Sequence, residues 1–372
     1  MRIRCCSFSE LKKSIIEGRK KIIMFGAGVV GSISVPSILR NLGIISAVDC
    51  YVDNDASKWG KIVDIFEHRY KIASPDYLNN CNDNTVILLN ISRFSDVLRQ
   101  LESMHCNDFR ECYIMPMMLI HNFCSSASCG SPVTSLNQLI PKKIHYMWLG
   151  GKEIPANLKK CIESWRRFCS DYEIIEWNEN NYDIDKHPYM RQAYDTGFYG
   201  FVPDYARLDI LYEHGGIYLD TDVEIRKTLD HMLCQEAFCG VEKWQVLNFG
   251  GCSGSVKGNP AIKKFIDRRK DTLFIDKSGD YNKKTCGFYD TLTAIDMGYQ
   301  INGGTQALDN INIYAYDYFH PYDYMSGEVN ITSNTYSIHW FNGGWLSDIE
   351  KESNETAKKQ YYDIYKLAVR TR

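Results

Sequence analysis

Two stretches of the chain share one rhythm: a short apolar run, a glycine-containing break, then apolar residues returning every three or four positions. In the first stretch, the run IIMF at 22–25 precedes GAGVVG at 26–31. This predicts a strand, a glycine loop and a helix. Pro36 falls early in that helix and should distort it locally, because proline lacks an N–H and crowds the preceding turn. Further strands are predicted at AVDCYVDND (47–55), TVILLNI (85–91) and ECYIMPM (111–117). In the second stretch a strand at 144–149 ends on Gly150 and Gly151. A helix follows within PANLKKCIESWRRFC (155–169), with Leu158, Cys161, Ile162 and Trp165 on one face. YEIIEWN (172–178) is a strand, and DYARLDILYEHGG is a helix with Ala206, Leu208, Ile210 and Leu211 as inward candidates and Gly215 as its terminator. IYLDTDVEI (217–225) then re-enters a sheet. Strands alternating with helices predict an α/β fold with mainly parallel sheets.

Between the two stretches, HNFCSSASCGSPVTSLNQ (121–138) is rich in serine, with glycine and proline, and reads as a linker. A length of 372 residues exceeds most single cores, so the expected division is 1–120, a linker at 121–138, and 139–372.

Composition narrows the function classes. With 44% hydrophobic residues the chain can build sizeable cores, and a net charge of −3 gives no reason to expect a nucleic-acid partner. No apolar stretch is long enough for a membrane span. MRIRCCSFSELKKSIIEGRKK contains no secretory apolar core. The 14 cysteines are scattered without C-x-x-C pairs, so free thiols in a cytoplasm are expected rather than disulfides or a zinc ribbon. The 25 tyrosines would suit a hydroxyl-rich ligand.

Two motifs carry chemistry. Gly26, Gly28 and Gly31 form G-x-G-x-x-G after a strand, and Asp53 ends the next one. In a dinucleotide fold, such glycines approach phosphate and such an acid meets ribose hydroxyls. The same residues would also serve a purely structural module. The second motif is Asp220 and Asp222 at the exit of a buried strand. Open α/β sheets bind ligands beyond their strands' carboxyl ends, and carboxylates at spacing two share one side of an extended segment. Two hard oxygen donors suit Mg²⁺ or Mn²⁺, which typically adds substrate phosphate as a ligand. Such an ion would neutralise a departing diphosphate.

Three segments extend the second motif: IPKKIHYMWLGG (140–151), FVPDYARLDILYEHGGIYLDTDVE (201–224) and SIHWFNGGW (337–345). Here the chain resembles glycosyltransferase family 32, the DXD sugar-binding group of capsule and lipopolysaccharide enzymes and yeast-type α-1,6-mannosyltransferases. It is also similar to the glycosylating domain of the large clostridial toxins. The resemblance covers about 140–346 and implies a GT-A-type nucleotide-diphospho-sugar transferase domain. It assigns Trp148 to stacking on the nucleotide base, Asp204 and Arg207 to the sugar hydroxyls, and Asn248 to a position near the transferred sugar. Asp220 would contact ribose or sugar and metal, Asp222 would be the principal metal ligand, and His339 would complete the metal shell. Trp345 would close over the diphosphate, with Gly344 where many relatives carry serine. The first stretch resembles a Rossmann-like module of bacterial polysaccharide-biosynthesis enzymes, through the glycine loop and VDNDASKWGKIV (52–63).

Together these imply a cytoplasmic, Mn²⁺- or Mg²⁺-dependent transferase. It would move a hexose or N-acetylhexosamine from a UDP- or GDP-linked sugar to a saccharide or lipid-linked oligosaccharide in capsule or O-antigen synthesis. Retention through front-face attack assisted by the leaving phosphate is implied. Peripheral association with the inner face of the plasma membrane, and a homo-oligomer, stay open. Two other readings compete: a non-catalytic nucleotide- or sugar-binding protein, and an NAD-dependent oxidoreductase using the first domain. The second lacks any catalytic-base motif tied to the 26–31 loop.

Overall fold

The computed structural model describes residues 1–104, 111–123, 131–277, 279–282, 284–343 and 348–370. Its first unit contains β1 (Arg2–Arg4), α1 (Phe8–Gly18), β2 (Lys21–Phe25), α2 (Val35–Asn41), β3 (Val48–Val52), β4 (Ile62–Ile65), β5 (His68–Ala73), β6 (Thr85–Leu89), α3 (Phe94–Ser103), β7 (Glu111–Ile114) and α4 (Met115–Phe123). The strands form one sheet in the order β1-β7-β6-β2-β3-β5-β4, parallel except for the β4–β5 pair. All residues of β6 and β7 are buried, as expected for parallel strands covered on both faces.

Local chemistry shifts some predicted boundaries. The glycine loop leads into a π-helical turn at Val30–Ser34, and Pro36 then occupies the first turn of α2. Val29, Ser34 and Val35 are all right-handed helical, so Pro36 lies inside one continuous helical run and has no N–H to donate to the turn before it. The distortion therefore lies upstream of Pro36, in the turn closed by the Val35 N–H on the Val30 carbonyl. Gly31 is required by close approach, since a Cβ there would sit 2.0 Å from the Gly26 carbonyl oxygen. The fourth predicted strand stops at Ile114, and Met115 already begins α4.

The second unit contains β8 (Lys143–Met147), α5 (Ala156–Phe168), β9 (Glu173–Trp177), α6 (Pro188–Asp195), α7 (Pro203–His214), β10 (Gly216–Tyr218), β11 (Val223–Ile225), β12 (Ala237–Val241), β13 (Leu247–Asn248) and β14 (Ser253–Ser255). It continues with α8 (Pro260–Arg269), α9 (Cys286–Asp296), β15 (Gln306–Leu308), β16 (Ile311–Tyr314), α10 (Tyr316–Phe319) and β17 (Ser337–His339), and α11 (Asp348–Arg370) ends the chain. The main sheet runs β15-β16-β12-β14-β10-β8-β9, with β13 paired to β12; β11 and β17 form a separate ribbon. β14 is antiparallel to both β10 and β12, whereas β8, β9, β10, β12 and β16 share one direction. The ends of β8, β10 and β12 therefore gather on one edge. α5 buries the four predicted residues, and Trp165 donates its indole N–H to the Val223 carbonyl at 2.7 Å, which fixes β11 against the helix.

The units are joined by more than the covalent chain. α4 takes up residues 121–123 of the predicted linker. Farther on, Val133 and the Asn312 side chain exchange two hydrogen bonds, and the Ser135 N–H reaches the Cys234 carbonyl. α11 follows the second unit in sequence but packs on the first. The Cys5 N–H donates to the Ala368 carbonyl at 3.2 Å, and Tyr361 meets Phe94 edge-on with centroids 6.4 Å apart. No helix among the described residues is long and apolar enough to cross a membrane.

Candidate active site

The chain leaves β10 through Leu219 into a tight turn, in which the Val223 N–H donates to the Asp220 carbonyl at 3.1 Å. The two aspartates thus sit in a turn, not in the extended segment assumed from their spacing. The turn still brings them together. Ligand atoms of Asp220, Asp222 and His339 all lie within 4.8 Å of one another. His339 Nε2 is 3.2 Å from Asp222 Oδ1. That spacing suits neighbouring ligands of one ion, because donors about 2.1 Å from an octahedral centre are about 3 Å apart. Two carboxylates and an imidazole match Mn²⁺ or Mg²⁺ plus substrate oxygens.

Electrostatics couple Asp222 to His339 and favour the charged form of each, so a cation would displace the imidazole proton. Burial would raise the Asp222 carboxyl, but His339 and the Asn342 N–H, 2.7 Å away, hold it below its ordinary value. Burial would likewise lower His339, and Asp222 instead lifts it above the usual imidazole value. The His339 ring stacks on Phe341, with centroids 4.1 Å apart and planes at 21°. Phe341 has φ +47°, a left-handed conformation that bulky residues rarely adopt and that often accompanies functional sites.

Asp204 and Arg207 face the same turn from the first two turns of α7. Arg207 Nη2 lies 3.3 Å from Asp204 Oδ1 and 3.3 Å from Asp220 Oδ1. Arg207 is buried, and its Nε has no partner among the described residues. Burial pushes the Asp204 carboxyl up to about 6 despite Arg207. Gly250 closes over this group: a Cβ there would lie 2.0 Å from Asp220 Oδ2 and 3.1 Å from Arg207 Nη1.

Asn248 is buried on β13. Its Oδ1 accepts the Gly250 and Gly251 N–H groups, and the Gly250 carbonyl accepts the Asp220 N–H. Trp148 stands half-buried at the exit of β8, with its indole N–H donated to the Lys152 carbonyl at 2.6 Å. Trp345 and Gly344 lie outside the described residues. A cleft of about 670 Å³ opens beside Asp222, between α5 and the β11–β17 ribbon, with Lys160, Ser164, Arg167, Trp340 and Asn342 in its wall.

Several residues around this site escaped sequence reasoning. Arg269 and Asp290 form a buried ion pair of 2.6 Å between α8 and α9, behind Asp204. Cys286 Sγ is 3.4 Å from Arg207 Nη1. His320 is fully buried, neither ring nitrogen has a partner among the described residues, and burial holds it well below the usual imidazole value. Glu242 follows β12 and accepts a hydrogen bond from Asn248 Nδ2 at 2.8 Å. An acidic residue just past a buried strand, in GVEKW, was the one available signal for it.

The glycine loop of the first unit closes on Asp53. Asp53 Oδ2 accepts from the Ala27 N–H at 2.9 Å and Lys58 Nζ at 3.0 Å, and Oδ1 accepts from the Asp55 N–H at 2.9 Å. Asp53 and Gly26, Gly28 and Gly31 thus share one edge of the first sheet, with the carboxylate bonded internally.

Residues 155–239 match the family model described as a glycosyltransferase sugar-binding region containing a DXD motif. The match ends after Asp220 and Asp222 and includes Asp204 and Arg207. Inositol phosphoceramide mannosyltransferase 3 of Schizosaccharomyces pombe is 36% identical over 131 residues, 34% of this chain and 36% of that protein. An uncharacterized glycosyltransferase of Acanthamoeba polyphaga mimivirus is 34% identical over 105 residues, 26% of this chain and 40% of its own length. The chain therefore spans well under half the length of these relatives. Among solved structures, the PaToxG glycosyltransferase aligns at TM-score 0.35 and 17% identity, covering 55% of this chain and 78% of that one. Over residues 155–239, the stretch that carries Asp204, Arg207, Asp220 and Asp222, the chain is thus similar to the glycosyltransferase sugar-binding region containing a DXD motif.

Proposed function

We propose that the protein is a divalent-metal-dependent transferase that moves a hexosyl group from a nucleoside-diphosphate sugar to an acceptor hydroxyl, through a GT-A-type second unit. The observation that carries this reading is the convergence of Asp220, Asp222 and His339 beside the buried Asp204–Arg207 pair, at the edge where β8, β10 and β12 end. A non-catalytic binding protein would have no need of a metal triad beside a buried arginine.

Each residue has a part. Asp220, Asp222 and His339 would hold the cation, which when bound would supply positive charge to the leaving diphosphate. Arg207, fixed between two carboxylates, offers its remaining N–H groups to sugar oxygens, and a planar fork suits such ligands. Asp204 accepts from sugar hydroxyls. Trp148 offers an aromatic face to the base. Retention by front-face attack, a saccharide or lipid-linked acceptor, and work at the inner face of a plasma membrane belong to the same reading and rest on the family resemblance. The mannosyltransferase named among the relatives makes GDP-mannose the first donor to try.

For the first unit we favour a scaffold over a nucleotide site, because the three internal hydrogen bonds on Asp53 use the groups that ribose would need. The test is release of nucleoside diphosphate from GDP-mannose, UDP-glucose, UDP-galactose and UDP-N-acetylglucosamine, with Mn²⁺, Mg²⁺ or EDTA. Turnover with one donor that requires the cation is the expected result. Absence of turnover and of cation-dependent nucleotide binding with all four would overturn the reading.

A further inference from the structure

The family resemblance leaves the acceptor's proton to the departing phosphate and names no side chain for it. Transfer requires a group to receive the acceptor's proton, and Asp204, Asp220 and Asp222 are committed to Arg207 and the metal site. We infer that Glu242 is this group, a catalytic residue on the acceptor side. The inference rests on the transferase reading.

Position is the first argument. β12 and β10 run in the same direction, each antiparallel to β14. Glu242, directly after β12, therefore leaves the sheet at the edge where Asp220 follows β10. A short chain of hydrogen bonds links the two. Asn248 Nδ2 donates to Glu242 Oε1 at 2.8 Å, Asn248 Oδ1 takes the Gly250 N–H at 2.7 Å, and the Gly250 carbonyl takes the Asp220 N–H at 2.8 Å. Glu242 is also near enough to His339 for each to feel the other's charge.

Availability is the second. Around the Asp220 turn, Asp204 and Asp220 share Arg207, Asp222 faces His339, and Asp290 is paired with Arg269. Among the described residues Glu242 has no ion-pair partner, and its Oε2 has no hydrogen-bond partner. It is half-buried, so a ligand can reach it.

The surroundings are the third. Trp244 and Tyr324 lie 4.6 Å apart by centroid, Tyr324 and Phe341 5.2 Å, and Phe341 stacks on His339. Tyr324 also feels the Glu242 charge. A carboxylate among aromatic faces, beside a metal site, suits a sugar ring: the rings meet its C–H faces and the acid meets one hydroxyl. Gln245, which closes the β12–β13 hairpin, is fully buried with φ +62°. That is a backbone cost tolerated where geometry must be held.

The step balances. The acceptor oxygen bonds to the anomeric carbon, and the bond from that carbon to the phosphate oxygen breaks, leaving its electron pair on the nucleoside diphosphate. The acceptor's proton passes to Glu242 in place of the leaving phosphate.

The test uses the full-length chain with Mn²⁺ and whichever of the four nucleotide sugars it turns over. Glu242→Gln keeps an oxygen for Asn248, so the hairpin should hold. Its kcat should fall by about 10²–10⁴-fold, the usual worth of a general base. The donor KM and the Kd of free GDP or UDP should change less than about twofold, as for a group acting only in the chemical step. Added formate should restore part of the rate to Glu242→Ala, which a merely structural role would not allow. Turnover of Glu242→Gln close to wild type, or diphosphate affinity lost in step with the rate, would overturn the assignment. A wild-type chain that turns over none of the donors removes the transferase reading, and this inference with it.

Discussion

His339 Nε2 stands 3.2 Å from Asp222 Oδ1, joining the end of β17 to the turn after β10 across more than a hundred residues. Without a cation this is a charge-assisted pair; with one, both atoms would become ligands. Mn²⁺ should therefore stabilise the fold, by about 2.7 kcal/mol at a hundredfold excess over its Kd. Thermal unfolding with and without Mn²⁺ reads this directly. The increment should vanish in Asp222→Asn and in His339→Ala, and its persistence in both would place the ion elsewhere.

Asp204 predicts a pH signature. Its folded pKa of about 6 lies above the ordinary aspartate value. The fold therefore binds this proton more tightly than the unfolded chain does. The stability so gained is fully present below about pH 4 and lost as pH rises through about 6. Above that, the buried charge costs roughly 3 kcal/mol. Asp204→Asn should unfold at higher urea than wild type at pH 7.5, match it near pH 4, and lose transfer. Equal destabilisation at both pH values would contradict the burial argument.

The Arg269–Asp290 pair holds α8 and α9 behind the site, 5% and 1% exposed by side chain. Removing one partner of a buried pair leaves an uncompensated charge, at a cost of about 3–5 kcal/mol. Urea unfolding should show that loss in Arg269→Met and recover most of it when Asp290→Leu is added. Additive losses in the double variant would mean the pair is not the coupling element.

The reach of the sequence depended on how local each signal was. α5 and α7 could be read because their buried residues repeat at helical spacing, and the turn carrying Asp220 and Asp222 because glycine and an apolar run frame it. The turn geometry itself was hidden: alternation predicts an extended pair, while the Val223–Asp220 hydrogen bond that bends it leaves no compositional trace. Arg269 and Asp290 sit 21 positions apart on helices with no motif. Glu242 acquires meaning only when the hairpin folds Asn248 back onto it. α11 buries Ala357, Tyr361 and Ala368, but nothing in its own sequence says that it returns to Phe94 and Cys5.

That return bears on truncation. A chain beginning at Ser135 loses Phe94, the neighbour of buried Tyr361, and leaves the apolar side of α11 uncovered. It should aggregate, whereas a chain of residues 135–347 should stay soluble and bind GDP or UDP in the presence of Mn²⁺. Calorimetry on the shorter chain checks this. A soluble, folded 135–347 chain without nucleotide binding would mean that the first unit builds part of the site.

On the transferase reading, the two carboxylates after β10 hold the cation on which sugar transfer depends. The most direct measurement is nucleoside-diphosphate release from the preferred donor by wild type and Asp222→Asn, at saturating Mn²⁺, with circular dichroism confirming the fold of each. Cation-dependent turnover is expected in wild type and a loss of at least about a hundredfold in the variant, the scale of removing a principal electrostatic group from an active site. Equal turnover by the two proteins, or wild-type turnover undiminished by EDTA, would contradict it.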